Sequence, residues 1–211
     1  MVAAFGGSAD YAAVSASTIF TLAQAAAKLV VTDVGGTYNG QPLPATSTVA
    51  GVDTTPAASL EGVSPTFTYF LSNANGSMTL LSGAPSTAGH YEVVAFFAGS
   101  ADYAAVSRAA TFTIKKSAPS FSLLFATTIL EGTATTVVTG TISLGGLIPT
   151  SQVTIPINGV SATAVIQADG SFSATIATGL LGAGKHTITY SYGGDDNFES
   201  ICAKETLTVT S

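Results

Sequence analysis

Apolar and polar residues alternate along much of the second half of the chain. Val153, Ile155 and Ile157 are separated by Thr154 and Pro156. The alternation continues in later segments, with these residues at the inward positions: Ala162, Ala164 and Ile166; Phe172, Ala174 and Ile176; His186, Ile188, Tyr190 and Tyr192; Leu207 and Val209. A period of two places successive side chains on opposite faces of a strand. One apolar face and one Thr/Ser-rich face predict an antiparallel β-sandwich.

Turn formers separate these segments. Asn158-Gly159 favours a two-residue hairpin, because both central positions of a type I′ turn need a positive φ, and Asp169-Gly170 indicates another turn. The first half is less regular, and its predicted strands are 28–33, 66–71, 91–97 and 111–114. Residues 51–65 are rich in turn formers and no strand is predicted there. Helical periodicity is nearly absent, so the predicted fold class is all-β.

An internal repeat organises the chain. Residues 7–15, GSADYAAVS, recur identically at 99–107, an offset of 92, and a diverged third copy begins at 194, a further 95 residues on. Both spacings match one immunoglobulin-like domain. We therefore expect two immunoglobulin-like antiparallel sandwiches in tandem, over residues 25–115 and 116–211. Residues 1–24 are expected to be the tail of a preceding repeat, with a strand end, a loop and a last strand, or a strand segment that pairs with another subunit.

Composition narrows the function classes. Charged residues make up 9% of the 211 residues, and 6 Lys and Arg stand against 12 Asp and Glu, a net charge of −6. A chain with so few cations is a poor match for phosphate-backbone binding or for anionic membranes, so we expect no nucleic-acid partner and no membrane insertion. The low charge and the Ser/Thr/Ala/Gly-rich sequence are typical of extracellular all-β modules. The single cysteine, Cys202, excludes an intrachain disulfide.

Several motifs resemble the bacterial Ig-like tandem repeats of large secreted and surface proteins of the adhesin type. The first repeat has GGTYNGQPLPA at 35–45 and AGHYEV at 88–93. The second has DGSFS at 169–173, YGGDDNF at 192–198 and LTV at 207–209. The resemblance covers nearly the whole chain and implies a spacer, an adhesive stalk or a matrix component. It implies fold and repeat class far more than activity.

Six residues are predicted to have structural roles. The Gly-x-Tyr motif that ends at Tyr91 suggests a tyrosine corner, in which the phenol bonds a nearby backbone group. His186 occupies the matching place in the second repeat and is interpreted as a hydrogen-bonded core histidine, whereas His90 has the opposite parity and is expected to face solvent. The remaining four lie in repeat motifs or on inward strand positions: Tyr103, Phe112, Phe198 and Leu207.

The candidate chemistry is sparse. Asp195, Asp196, Asn197 and Glu199 form the densest acidic cluster and are a weak calcium candidate, since calcium prefers oxygen ligands. The alternative interpretation is a loop whose Asp and Asn side chains bond the local backbone. The sequence has no recognisable nucleophile elbow, phosphate-binding loop or His-Glu-x-x-His motif. We therefore expect a protein that is not an enzyme, with no catalytic residue and no other cofactor.

Three functions remain open at this point. The leading hypothesis is a structural or adhesive spacer at the cell surface, whose partners are neighbouring repeats of the same polypeptide. The alternative is a self-assembling filament subunit, in which the apolar stretch 18–22 adds to the sheet edge of an identical subunit. A carbohydrate-binding module is a third possibility, although the chain has no Trp for an aromatic platform.

Overall fold

The computed structural model describes residues 1–33, 35–125 and 127–211. These residues form strands and connecting loops, and none of the described residues is helical. The strands before residue 116 are β1 (Val2–Phe5), β2 (Val14–Ser17), β3 (Ala25–Ala26), β4 (Lys28–Thr32), β5 (Gly36–Thr37), β6 (Thr46–Ala50), β7 (Thr66–Ser72), β8 (Met78–Leu80), β9 (Gly89–Phe97), β10 (Tyr103–Ala104) and β11 (Val106–Lys115). Those after it are β12 (Ser120–Ser122), β13 (Thr128–Leu130), β14 (Thr135–Ser143), β15 (Gln152–Ile157), β16 (Val160–Val165), β17 (Ser171–Ala177), β18 (Gly184–Tyr192) and β19 (Ile201–Thr210).

Close contacts divide the chain into two units. Unit 1 comprises Met1–Val31, Ser47–Phe67 and Val94–Arg108. Unit 2 comprises Thr32–Thr46, Thr68–Val93 and Ala109–Ser211. This division does not follow the repeat, and the domain boundaries at 24/25 and 115/116 stay a prediction.

Residues 116–211, all in unit 2, form a two-sheet sandwich. One sheet has the order β12-β14-β17 and the other β13-β19-β18-β15-β16. The inward positions of both sheets meet in one core, which includes Ile142, Ile155, Phe172, Tyr190 and Leu207. Each large apolar side chain that is fully buried stabilises the fold by about 1.5–3 kcal/mol. The period of two therefore translates directly into this core.

The first strand of this sandwich is divided between the two sheets. Its first part, β12, pairs antiparallel with β14, with Phe121 opposite Ile142. Its second part, β13, pairs parallel with β19, with Ile129 opposite Val209. The two parts of this strand are therefore edge strands, one in each sheet.

Residues 25–115 repeat this arrangement. Here β4 pairs with β6, and the larger sheet has the order β5-β11-β9-β7-β8. The short β5 lies parallel to β11, as β13 lies to β19. Within unit 1, Leu29, Val49, Ala95 and Phe97 form a buried core. Two antiparallel sheets with this arrangement make an immunoglobulin-like sandwich, so the fold-class prediction is confirmed: the chain is all-β, with two such sandwiches in tandem behind an N-terminal strand segment.

The N-terminal segment forms a hairpin. β1 and β2 pair antiparallel, with Phe5 opposite Val14 and Val2 opposite Ser17. The apolar stretch 18–22 forms no strand within this chain: β2 ends at Ser17, and the amide of Thr18 makes the last bond of this ladder, to the carbonyl of Met1 at 3.0 Å. Its pairing with another subunit stays a prediction. An apolar run becomes a strand only where a neighbouring backbone pairs with it, and the described strands give residues 19–22 no such partner. No helix of the described residues is long and apolar enough to span a membrane.

Candidate functional site

Three loops of the chain share one backbone geometry. They are loop 1 (residues 7–11), loop 2 (99–103) and loop 3 (194–198), at the repeat offsets of 92 and 95. Each begins with a glycine in the left-handed region, at φ of 84°, 85° and 85° for Gly7, Gly99 and Gly194. The residue after each glycine donates its amide to the carbonyl of the last loop residue, at 2.8, 2.9 and 3.1 Å respectively. The repeat in sequence is therefore also a repeat in local structure.

Only glycine fits the first position of these loops. A Cβ on Gly99 would lie 2.9 Å from the carbonyl oxygen of Tyr103, and a Cβ on Gly194 would lie 2.9 Å from that of Phe198. The positive φ adds backbone strain for any other residue. The steric contact and the positive φ both disfavour other residues here, because the last residue of the loop folds back against the first.

Loops 2 and 3 each hold the segment that leads into their own sandwich. In unit 1, the amide of Ala25 donates to the carbonyl of Asp102 at 2.8 Å, and Ala25 pairs with Tyr103. In unit 2, the amide of Ser117 donates to the carbonyl of Asn197 at 3.0 Å, and Ser117 pairs with Phe198. The two contacts are equivalent positions of the repeat. Each loop thereby fixes where the first strand of its sandwich begins.

Loop 2 is stabilised by contacts with residues of unit 1 outside the loop. The amide of Asp102 donates to Oε2 of Glu61 at 3.1 Å. The Ser100 hydroxyl and the Asp102 amide lower the pKa of Glu61 below its usual value. The Tyr103 hydroxyl accepts a hydrogen bond from the amide of Val52 at 3.2 Å.

Loop 3 provides its own carboxylate. Oδ1 of Asp195 accepts from the amides of Asn197 and Phe198, both at 2.9 Å. Its Oδ2 accepts from the amide and hydroxyl of Thr150, at 3.0 and 3.1 Å. Burial raises the pKa of Asp195, but these bonds, first among them the Asn197 amide, outweigh burial and leave the pKa below its usual value.

Loop 3 also contacts residues of the first repeat that belong to unit 2. Oδ1 of Asn197 accepts from the amide of Ala88 at 2.9 Å. The rings of Tyr38 and Phe198 meet edge to face, with centroids 5.3 Å apart. The Ser117 hydroxyl donates to the carbonyl of Tyr38. The sequence did not predict these contacts, although Tyr38 lies in the GGTYNGQPLPA motif and Asn197 is one of the calcium candidates.

The calcium candidates do not form a ligand cluster in the structure. Both carboxylate oxygens of Asp195 and the amide oxygen of Asn197 accept hydrogen bonds from the protein. Asp196 and Glu199 are exposed. No group of three or more His, Cys, Asp or Glu residues in the described part of the chain is arranged to hold a metal ion. Calcium binding stays an untested expectation.

Both histidines contact other residues. Nε2 of His186 donates to the carbonyl of Gly182 at 2.8 Å, and Nδ1 accepts from the side-chain Nδ2 of Asn158 at 2.7 Å. His186 is only half-buried, because it lies near the beginning of β18, at the margin of the sheet. His90 is exposed and its Nδ1 lies 2.9 Å from the hydroxyl of Thr113.

The remaining structural candidates lie in or against the cores. The Tyr91 hydroxyl donates to the carbonyl of Thr87 at 2.8 Å, which is the kind of backbone contact that a tyrosine corner makes. The Tyr91 ring stacks on Phe112, with centroids 5.4 Å apart. Phe198 and Leu207 are buried in the core of unit 2, and Tyr103 packs against the core of unit 1.

The other shifted ionisable groups have local causes. Burial, and then the charge of Glu205, raises the pKa of Tyr190 to about 12. Burial, helped by the nearby carboxylate of Asp195, also raises the pKa of Tyr192. Hydrogen bonds from Ser171 lower the pKa of Asp169, which lies in the turn before β17. Each shift accompanies a core position or a turn, and the expectation of no catalytic residue stays a prediction.

Comparisons with known proteins identify no family. No family model matches the sequence, and no curated protein matches it. Among solved structures, the fibronectin(III)-like modules of Clostridium thermocellum CbhA are 16% identical with a TM-score of 0.36, over 87% of this chain and 94% of theirs. A 1.5-MDa bacterial ice-binding adhesin is 15% identical with a TM-score of 0.37, over 96% and 71%. Domains 4 and 5 of the S-layer protein SbsC are 15% identical with a TM-score of 0.30, over 90% and 100%. Similarity at these levels supports no assignment of activity.

Proposed function

We propose that this chain is a non-enzymatic structural segment of an extracellular or cell-surface repeat protein, in which the sandwiches act as spacers. The observation that carries the proposal is the threefold use of one loop at intervals of 92 and 95 residues, with the same glycine conformation and the same closing bond. Repetition of a complete folding unit along a chain adds length, whereas a catalytic site needs only one copy.

The use of the polar groups supports the same function. The loops of a sandwich are where binding residues usually lie. Here the Asp195 carboxylate, the Glu61 carboxylate and the side-chain oxygen of Asn197 all accept hydrogen bonds from backbone amides of the protein itself. These side chains stabilise the fold, and their bonding to the protein favours a structural role over ligand recognition.

Contacts inside unit 2 would stiffen such a spacer. The Ala88–Asn197 bond and the Tyr38–Phe198 ring pair connect residues from the two sides of the repeat boundary at 115/116. A hydrogen bond of this kind contributes about 1 kcal/mol, and an aromatic pair about as much again. Bending at this boundary would break them.

The spacer role predicts how length scales with copy number. Proteins with one, two and three tandem copies of residues 25–211 are compared by small-angle X-ray scattering. A stiff spacer gives a maximum dimension that grows in proportion to the number of copies. Growth with only the square root of that number is the behaviour of a flexible chain, and would contradict the proposal. The matched control replaces Asn197 with Ala in every copy, which should shorten all three proteins, because the Ala88–Asn197 bond lies inside each copy.

A filament subunit is a second candidate, because the N-terminal segment 1–24 leaves large apolar residues exposed. Phe5, Phe20 and Leu22 all belong to this segment. Removal of residues 1–24, followed by light scattering at rising protein concentration, tests the idea. Assembly by the full chain that disappears in the shortened chain supports a filament, and monomers in both cases contradict it.

A further inference from the structure

The N-terminal hairpin is a second copy of strands that are buried elsewhere in the chain. At the offset of 92, Val2, Ala3 and Phe5 match Val94, Ala95 and Phe97. The identity of 7–15 with 99–107 continues the match through the loop into the second strand. The hairpin therefore has the sequence and the local structure of the last two strands of a sandwich.

Equivalent side chains of the two copies differ in exposure. Phe97 is fully buried and Phe5 is 48% exposed. Phe112 is 6% exposed and its equivalent Phe20 is 60% exposed. The same amino acids at the same repeat positions are thus buried in a core in one copy and exposed to solvent in the other.

The structure shows what covers this face when it is buried. Within unit 1, Ala95 and Phe97 pack with Leu29 and Val49 in one core cluster. Leu60, Val63 and Phe67 pack against the same cluster, as do Tyr103 and Val106. Apart from Tyr103 and Val106, which match Tyr11 and Val14 of the hairpin itself, these covering residues precede the two strands in the same repeat. A face with the composition of Ala3, Phe5, Tyr11 and Val14 therefore fits the strands of an immunoglobulin-like half-sandwich.

We propose that the apolar face of the N-terminal hairpin docks a half-sandwich equivalent to residues 25–92, supplied by polypeptide immediately N-terminal to the hairpin, so that the two together complete a further sandwich. The proposal rests on the repeat function proposed above and names the partner of this segment. It accounts for a hairpin that is fully formed and yet leaves its apolar side chains in water. Burial of such side chains provides the driving force for docking.

A preceding segment fits this face better than a second copy of the chain. In the complete repeat, the half-sandwich directly precedes β9 and β11 in sequence. A second copy would offer a half-sandwich whose core is already filled by its own Ala95 and Phe97. To accept the hairpin it would have to expel its own strands, which are held at the high effective concentration of a covalent neighbour.

The test extends the full chain by its own sequence. Residues 25–92 are placed directly before Met1, so that Met1 takes the repeat position of Val93. We expect the added segment to resist protease, with cleavage slowed about 100-fold relative to an unfolded control, since cleavage follows the population of the open form. Amide hydrogen exchange of β1 and β2 should slow in parallel, and the protein should remain monomeric.

Two controls use the same added segment. In the first, the fusion carries Phe5→Asp and Val14→Asp, two positions that are exposed in the unextended chain. In the second, residues 25–92 follow Ser211, away from the hairpin. The segment should be digested rapidly in both. Equal digestion in all three fusions would overturn the proposal, as would dimers of the unextended chain that protect the amides of β1 and β2. Neither result affects the length test of the spacer function.

Discussion

Loops 2 and 3 have the same backbone but are stabilised by different side chains. In loop 2 the carboxylate that accepts a loop amide belongs to Glu61, about forty positions earlier in the chain, and in loop 3 it belongs to Asp195, inside the loop. Glycine, the closing hydrogen bond and the aromatic last residue are common to both. The difference teaches that the backbone shape depends on these shared parts, whereas the carboxylate can come from different positions in the sequence.

The largest effect should come from the aromatic anchor of loop 3. We expect Phe198→Ala to lower the free energy of unfolding of the second sandwich by about 3–5 kcal/mol, because it removes a buried ring from the core. Urea unfolding with probes specific to each sandwich measures the change. Tyr103→Ala in loop 2 should cost less, since Tyr103 is only partly buried. Equal losses of stability in the two variants would contradict the expectation that the more buried Phe198 contributes more than Tyr103.

The first glycine should come next. Gly194→Ala and Gly99→Ala should each destabilise their sandwich by about 2 kcal/mol or more, through the positive φ and the approach of the new Cβ to a backbone carbonyl. Gly7→Ala is the matched control: it introduces the same strain into loop 1 but should leave the thermal unfolding of both sandwiches unchanged. A drop in their melting temperature in the Gly7 variant would show that loop 1 contributes to their stability.

A smaller, pH-dependent effect should distinguish the two carboxylates. The pKa of Asp195 is lower in the folded chain than the usual 3.8, so its contribution is present above the unfolded pKa and is lost as pH falls through the folded pKa. We expect Asp195→Asn to remove this part of the acid sensitivity of the second sandwich only. Glu61→Gln should act in the same direction on the first, because the pKa of Glu61 is also lowered. Stability curves between about pH 2 and pH 6 test both, and a change in the wrong sandwich would refute the assignment.

The smallest effect should be that of calcium. We expect millimolar calcium to leave the melting temperature unchanged, since both oxygens of Asp195 already accept hydrogen bonds and a metal would have to displace them. Differential scanning calorimetry with calcium and with chelator measures this. A rise that disappears in Asp196→Asn would establish the acidic loop as a metal site.

Periodicity and the repeat account for most of what could be predicted. Alternation over residues 153–157 gives β15 because strand side chains alternate, and the identity of 7–15 with 99–107 gives equivalent loops because the same glycine demands the same conformation. Several strands were not predicted, among them β6, β8 and β14. β6 (Thr46–Ala50) is mostly polar or small, and its pairing with β4 is a tertiary property. The contact between Glu61 and loop 2 was equally hidden, since a turn-rich segment gives no sign of which loop it will meet.

The divided first strand has a mechanical consequence. In the second sandwich β13 runs parallel to β19, the last strand of the chain, so the two strands leave the ladder in opposite directions. Tension between the ends of this sandwich would load the bonds between β13 and β19 in shear, and several would have to rupture together. An antiparallel pair pulled from one end would instead unzip bond by bond. The parallel pairing of β13 with β19 would therefore make this sandwich resistant to stretching.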